Sequence, residues 1–137
     1  MFRPIDEKWM SRAIALAGER GADAHPNPRG GCVIHRAGRV VGEGSHERFG
    51  GPHAEIQALR QAGARARGAT MYVTLEPCPH WGKTPPCAEA VVRAGLKRVV
   101  IASPDPSHRF SGKGITVLRH AGVRVDSGLM TRRAEEL

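Results

Sequence analysis

The stretch MYVTLEPCPHWGKTPPCAEAVVRAGLKRVVIA, residues 71–102, carries two strand signals on either side of one helix signal. Residues 71–75 are rich in β-branched and aromatic side chains and read as a strand. Residues 76–86 are rich in Pro and Gly and read as a loop. Residues 87–94 read as a helix that Gly95 stops. Residues 98–102 are almost continuously apolar, as expected of a strand covered on both faces. A strand, a helix and a second strand in this order imply two parallel strands with the helix packed across one face.

The alternation continues in both directions. Asp6 reads as the cap of a first helix, with Trp9, Ala13, Ile14, Leu16 and Ala17 as its apolar face and with Gly18 and Gly21 ending it. Residues 25–31 read as a loop by their proline and glycine. Residues 32–35 and 39–42 read as short strands joined by a hairpin at Ala37-Gly38. Residues 49–52 form a second loop, which opens a helix over about 53–62 with Pro52 at its entrance. Beyond the opening stretch come a loop over 103–114, a helix over about 114–121, and a strand over 123–125. The polar tail, 131–137, either frays or forms a short helix. The order α-β-β-α-β-α-β-α-β places the chain in the α/β class. It implies a largely parallel sheet covered on both faces and one domain over residues 1–137, with no internal repeat.

Composition narrows the functional classes. A chain of 137 residues with 40% apolar and 25% charged side chains can bury a core without staples. Only 4% of residues are aromatic, which argues against a stacking platform for single-stranded nucleic acid. A net charge of +8 and a pI near 10.4 favour an anionic partner such as a phosphorylated small molecule. Much of that charge lies on scattered arginines, among them Arg12, Arg60, Arg65, Arg67 and Arg93, and reads as solvated surface. Nucleic acid is therefore not the expected partner. Three cysteines, an odd number, do not make a disulfide framework. The N-terminus has no apolar signal-peptide core, and no stretch is long and apolar enough to span a membrane. These features imply a reducing, cytoplasmic setting, where neighbouring cysteines bind metal more often than they pair.

The residues that carry chemistry are His53-Ala54-Glu55 on one segment and Pro77-Cys78 with Cys87 on another. Two thiolates and a neutral imidazole form a good donor set for Zn2+, and three protein ligands leave the fourth tetrahedral position to water. His53 and Cys87 both sit at expected helix starts, where positive potential favours a thiolate. In a parallel sheet those starts lie beyond the carboxyl ends of strands, where such folds place their sites. Glu55 follows His53 by two residues, so both can face a pocket beyond the first turn. A carboxylate there can take a proton from water and pass it to a leaving nitrogen.

These residues match the types in the His-x-Glu…Pro-Cys-x-x-Cys pattern of zinc nucleobase deaminases. The spacing departs from it, because eight residues (79–86) separate Cys78 from Cys87. With that longer insert, residues 74–87 resemble the deaminase domain of riboflavin biosynthesis, the diaminohydroxyphosphoribosylaminopyrimidine deaminases. The resemblance covers about residues 8–130. It includes Pro26-Asn27-Pro28, Gly42-Glu43-Gly44-Ser45-His46, Gly51-Pro52-His53-Ala54-Glu55, Asp105-Pro106 and Gly112-Lys113-Gly114. Gly30, where the family usually has valine, and Ser107-His108 depart from the family pattern.

The resemblance implies a three-layer α/β/α cytidine-deaminase-like fold with a five-stranded mixed sheet. It implies Zn2+ held by His53, Cys78 and Cys87, with Glu55 as catalytic proton carrier. The implied reaction is hydrolytic loss of the 2-amino group from 2,5-diamino-6-ribosylamino-4(3H)-pyrimidinone 5′-phosphate. The implied substrate contacts are Asn27 and His46 on the ring and ribose side, His80, Lys83 and Thr84 in the insert, and Asp105 at the ribose. A cation and a hydroxyl at Lys83 and Thr84 suit a phosphate. The resemblance also implies a homo-oligomer. Family members often carry a C-terminal reductase domain, so this chain is expected to be a stand-alone deaminase working with a separate reductase, or a fragment.

Other readings of the same residues stand beside this one. Cys78 and Cys87 could be buried thiols. His80 could close a four-ligand structural zinc site, which would leave Glu55 without a role. The substrate could be another pyrimidine, a pterin or a nucleobase, RNA adenosine included. The chain could also be a non-catalytic zinc-stabilised binding domain. Cys32 lies in an apolar strand and reads as core. His25, His35 and His120 read as surface.

Overall fold

The computed structural model describes residues 2–21, 23–24, 29–48, 51–79, 87–105 and 111–137. In chain order the elements are α1 (Pro4–Arg20), β1 (Gly31–Arg36), β2 (Arg39–Ser45), α2 (Ala54–Ala62), a 3-10 turn (Gly63–Ala66), β3 (Thr70–Leu75), α3 (Cys87–Ala94), β4 (Arg98–Ser103), α4 (Lys113–His120), β5 (Arg124–Ser127) and α5 (Thr131–Glu135). The strands form one five-stranded sheet in the order β2-β1-β3-β4-β5.

The sheet is mixed, as the family resemblance implies, where the strand–helix alternation alone implied a largely parallel one. β1 is antiparallel to both of its neighbours, while β3, β4 and β5 pair in parallel. β2 and β3 therefore run in the same direction on either side of β1. All four strands other than β1 point their carboxyl ends to one pole of the molecule, and α2, α3 and α4 start there. The hairpin is built as the sequence implies: Ala37 and Gly38 take φ values of 49° and 81°, which suit a tight turn between twisted strands.

Alternation along each strand divides the core in two. Cys32, Ile34, Met71, Val73, Val99 and Ile101 face Ala54, Ala58, Ala88, Val91 and Leu118 of α2, α3 and α4. Val33, Tyr72, Val100 and Ala102 face Met10, Ala13, Ile14 and Leu16 of α1 and Ala134 of α5. The result is three layers, with β4 buried along almost its whole length, as its apolar run implies.

Several boundaries move from where the sequence places them, each for a local reason. α1 starts two residues before Asp6, because Pro4 is well suited to a first helical position. Asp6 is the third helical residue, and its carboxylate accepts the Arg3 N–H at 2.9 Å. Gly18 does not end α1, which runs on to its cap at Gly21. β2 extends past 42 to Ser45, across Gly42 and Gly44. β5 begins only at Arg124, because the Val123 N–H still bonds the Leu118 carbonyl at the end of α4. His35 is half-buried rather than a free surface residue. Its ring packs on Trp9 at 5.4 Å, and its Nε2 is buried.

Candidate active site

The site forms at the carboxyl pole of the sheet. α2 reaches it because two glycines on β2 let the helix lie unusually close. A Cβ on Gly44 would collide with the Ala54 carbonyl oxygen, and one on Gly42 with that of Ala58. The amides of Gln57 and Gln61 then accept the N–H groups of Ser45 and Glu43 on this edge strand, at 3.2 and 2.6 Å. These bonds cover part of an edge that would otherwise stay open and fix α2 along β2. His53 is the N-cap of α2, and Glu55 lies in its first turn.

Cys78 lies just beyond β3, after Glu76 and Pro77, and Cys87 opens α3. The first N–H of α3 donates to Cys78 Sγ at 3.4 Å, and the Ala88 N–H donates to the Cys78 carbonyl at 3.0 Å. His53 Nδ1 stands 3.2 Å from Cys87 Sγ. The three donor atoms of His53, Cys78 and Cys87 all lie within 4.8 Å of one another. Two thiolates and an imidazole around a tetrahedral zinc ion stand roughly 3.5–3.8 Å apart. The donor set and its spacing therefore fit zinc.

Electrostatics point the same way. The hydrogen bond from Cys87, despite burial, and further hydrogen bonds with His53 and the Cys87 N–H pull the Cys78 thiol down to about 4. The hydrogen bond to Cys78 and burial push the Cys87 thiol up. The pair alone thus holds one negative charge easily and resists a second, and a divalent cation is the natural partner that makes both thiolates tenable. Glu55 is 7% exposed, and burial pushes its carboxyl up to about 7, against the pull of the His53 charge. A carboxyl near neutrality can both accept and return a proton at physiological pH.

His46, an implied substrate contact, is buried. Its ring meets His53 edge-on at 4.8 Å, and its Nδ1–H donates to the Pro52 carbonyl at 3.2 Å. Burial lowers its pKa. Asp105 follows β4 at the same pole and lines a cleft of about 210 Å3 with Arg29, Thr74 and Leu137. Asn27, His80, Lys83 and Thr84 lie outside the described residues, as do Trp81, Ser107 and His108.

Sequence reasoning passed over Glu76, placing it in a loop. Its side chain is 3% exposed and accepts three backbone N–H groups. Asp105 N and Gly112 N bond Oε1 at 3.1 and 2.9 Å, and Ile115 N bonds Oε2 at 3.1 Å. The available signal was an acidic residue between an apolar strand and a Pro-Cys pair, facing a glycine-flanked helix start that has no capping side chain of its own.

Residues 3–103 match the family model described as the cytidine and deoxycytidylate deaminase zinc-binding region. The riboflavin biosynthesis protein RibD of Aquifex aeolicus is 53% identical over all 137 residues, which span 38% of that protein. The diaminohydroxyphosphoribosylamino-pyrimidine deaminase of Buchnera aphidicola subsp. Schizaphis graminum is 47% identical over 131 residues, covering 96% of this chain and 89% of the relative. The solved structure of Acinetobacter baumannii RibD superposes with a TM-score of 0.94 at 53% identity, over 96% of this chain and 37% of that one. The chain thus spans little more than a third of several curated relatives and nearly all of another. The family match spans the segments that hold His53, Glu55, Cys78 and Cys87, and by these matches the chain belongs to the cytidine and deoxycytidylate deaminase zinc-binding family, and within it to the diaminohydroxyphosphoribosylamino-pyrimidine deaminases.

Proposed function

We propose that the chain hydrolytically deaminates 2,5-diamino-6-ribosylamino-4(3H)-pyrimidinone 5′-phosphate, a step of riboflavin biosynthesis. The observation that carries this reading is the convergence of the His53, Cys78 and Cys87 donor atoms within 4.8 Å, beside a buried carboxyl in the same helix turn as His53. His53, Cys78 and Cys87 are the zinc ligands. Zinc, when bound, makes water nucleophilic at neutral pH. Glu55 takes the proton of the attacking water as the new C–O bond forms at the amidine-like ring carbon. It passes that proton to the ring nitrogen, then carries the second proton, from the new hydroxyl, to the leaving amine; the C=O bond forms as the C–N bond breaks, and ammonia departs. His46 contacts the ring or ribose side, and Asp105 holds ribose hydroxyls. Asn27, His80, Lys83 and Thr84 complete the ring, ribose and phosphate contacts. The active form is a homo-oligomer, and the reductive step that follows falls to a reductase on another chain or in a longer protein.

The test is ammonia release from this substrate by zinc-loaded protein, with Glu55→Gln as control. Turnover by the wild type and none by the variant supports both the substrate and the role of Glu55. A fully zinc-loaded wild type that releases no ammonia sinks the substrate assignment. Cytidine, guanine and pterin analogues then decide whether another ring is deaminated.

A further inference from the structure

Glu76 is more heavily bonded than a residue between a strand and a metal ligand needs to be. It lies two residues before Cys78, and its carboxylate takes N–H groups from three positions on the far side of β4: Asp105, Gly112 and Ile115. Its own N–H bonds the Ser103 carbonyl at 2.9 Å, so its backbone is also held by the end of β4. Gly112, with φ at 81°, is the N-cap of α4 and brings no side chain to the helix start, and Glu76 supplies the missing acceptor from another segment. Contact continues at Gly114, where a Cβ would collide with the Pro77 carbonyl oxygen, one residue before Cys78. One buried carboxylate thus joins the Cys78 turn to both ends of the segment that leaves β4 at Asp105 and enters α4.

We propose that Glu76 is a positioning residue, whose carboxylate holds Asp105 and the start of α4 in register with the Cys78 turn so that the metal side and the ribose side of the site form one rigid body. The inference rests on the reading above in which Asp105 touches substrate. Glu76 itself touches none of the reacting atoms. A neutral amide of the same shape cannot do its work. Gln has one acceptor oxygen, and its NH2 would face an N–H where the carboxylate now accepts one.

Glu76→Gln in the whole zinc-loaded chain separates positioning from plain helix capping. We expect KM for the diaminopyrimidinone ribosylamine phosphate to rise about tenfold, the scale of one lost charge-assisted hydrogen bond, with kcat changed less than about threefold. Asp105→Asn should raise KM similarly, and the double variant should be little worse than either single one. Amide exchange at Asp105, Gly112 and Ile115 should quicken about tenfold or more, with β3 and β4 unchanged. A lower Tm with unchanged KM would leave Glu76 only a helix cap and overturn the proposal, as would KM effects that multiply in full. If Glu76→Gln fails to fold, Glu76→Asp, which keeps the charge but shortens the reach, is read in the same way. If the wild type does not turn this substrate over, the substrate reading fails by itself. The exchange measurement then decides, and protection unchanged at the three amides refutes the tie.

Discussion

Glu55 sits where burial raises a carboxyl to about 7 without removing it from its neighbours. Glu55→Gln keeps shape and packing but cannot carry a proton. It should lower kcat by about 100-fold or more, the usual weight of a positioned acid-base group, while zinc content measured by elemental analysis stays at the wild-type level. Two adjacent glycines should behave oppositely. Gly31 needs its missing side chain, since a Cβ would collide with the Ala13 carbonyl oxygen of α1. Gly30 does not, since its backbone is not left-handed and its Cβ would meet only His46 Cβ and Ala54 Cβ at 3.8 and 3.9 Å. Gly30→Ala should therefore stabilise by about 0.5 kcal/mol through the unfolded state, and Gly31→Ala should destabilise by about 1–3 kcal/mol through overpacking. Urea midpoints at constant slope would report both. The space Gly30 leaves beside His46 and Ala54 is thus free of any backbone requirement.

Two attachments govern the elements. The first is α2 on β2, through Gly42, Gly44 and the Gln57 and Gln61 amides, which sets where His53 and Glu55 point. Gly44→Ala should push α2 outward and weaken zinc retention in competition with a chelator, an effect on the site from a residue outside it. The second lies at the opposite pole. Asp6 of α1 takes Arg98 of β4 at 2.9 and 3.3 Å and the Tyr72 hydroxyl of β3 at 2.7 Å, while Arg98 also pairs with Asp126 of β5 at 2.8 Å. Burial raises the Asp6 pKa, but the Arg98, Arg3 and Tyr72 hydrogen bonds and the Arg98 charge outweigh it and hold the group at about 2. A folded pKa below the unfolded value of 3.8 contributes stability that is full above that value and lost as pH falls through about 2. That contribution is about 2 kcal/mol. Asp6→Asn should therefore lower stability clearly at pH 7, and its gap to the wild type should narrow between about pH 4 and pH 2. A gap that stays constant with pH would show that packing, not charge, is what Asp6 supplies.

For the whole molecule, zinc would join segments far apart in sequence: the start of α2, the end of β3 and the start of α3. Removing it would leave the half-buried Cys78 thiol, the buried Cys87 thiol and the His53 imidazole without their shared partner. Chelation should lower Tm by on the order of 10 °C, recovered on adding zinc, because a ligand held far above its Kd stabilises only the folded state. The same titration on Glu55→Gln should give nearly the same shift, since that carboxyl is not a ligand. No described helix is long and apolar enough to cross a membrane.

The linear order of residues was enough to set the element types, the hairpin at Ala37-Gly38, the buried character of β4 and the placing of His53, Glu55 and Cys87 at helix starts with Cys78 in the loop after a strand. These rest on local physics: side-chain period, the φ preferences of Gly and Pro, and the potential at a helix N-terminus act within a few residues. Tertiary structure alone decided the rest. That β1 pairs antiparallel with β3 on its other side is set by which strand comes to lie beside it, and nothing within the strand encodes that partner. Asp6 turns out to belong to an ion-pair network, because Arg98 and Asp126 arrive from strands more than ninety residues on. Glu76 becomes a tie between two loops, because its three N–H partners come together only when β3 and β4 lie side by side. In each case a polar group takes its meaning from whatever a distant segment brings within about 3 Å, a distance that sequence separation does not contain.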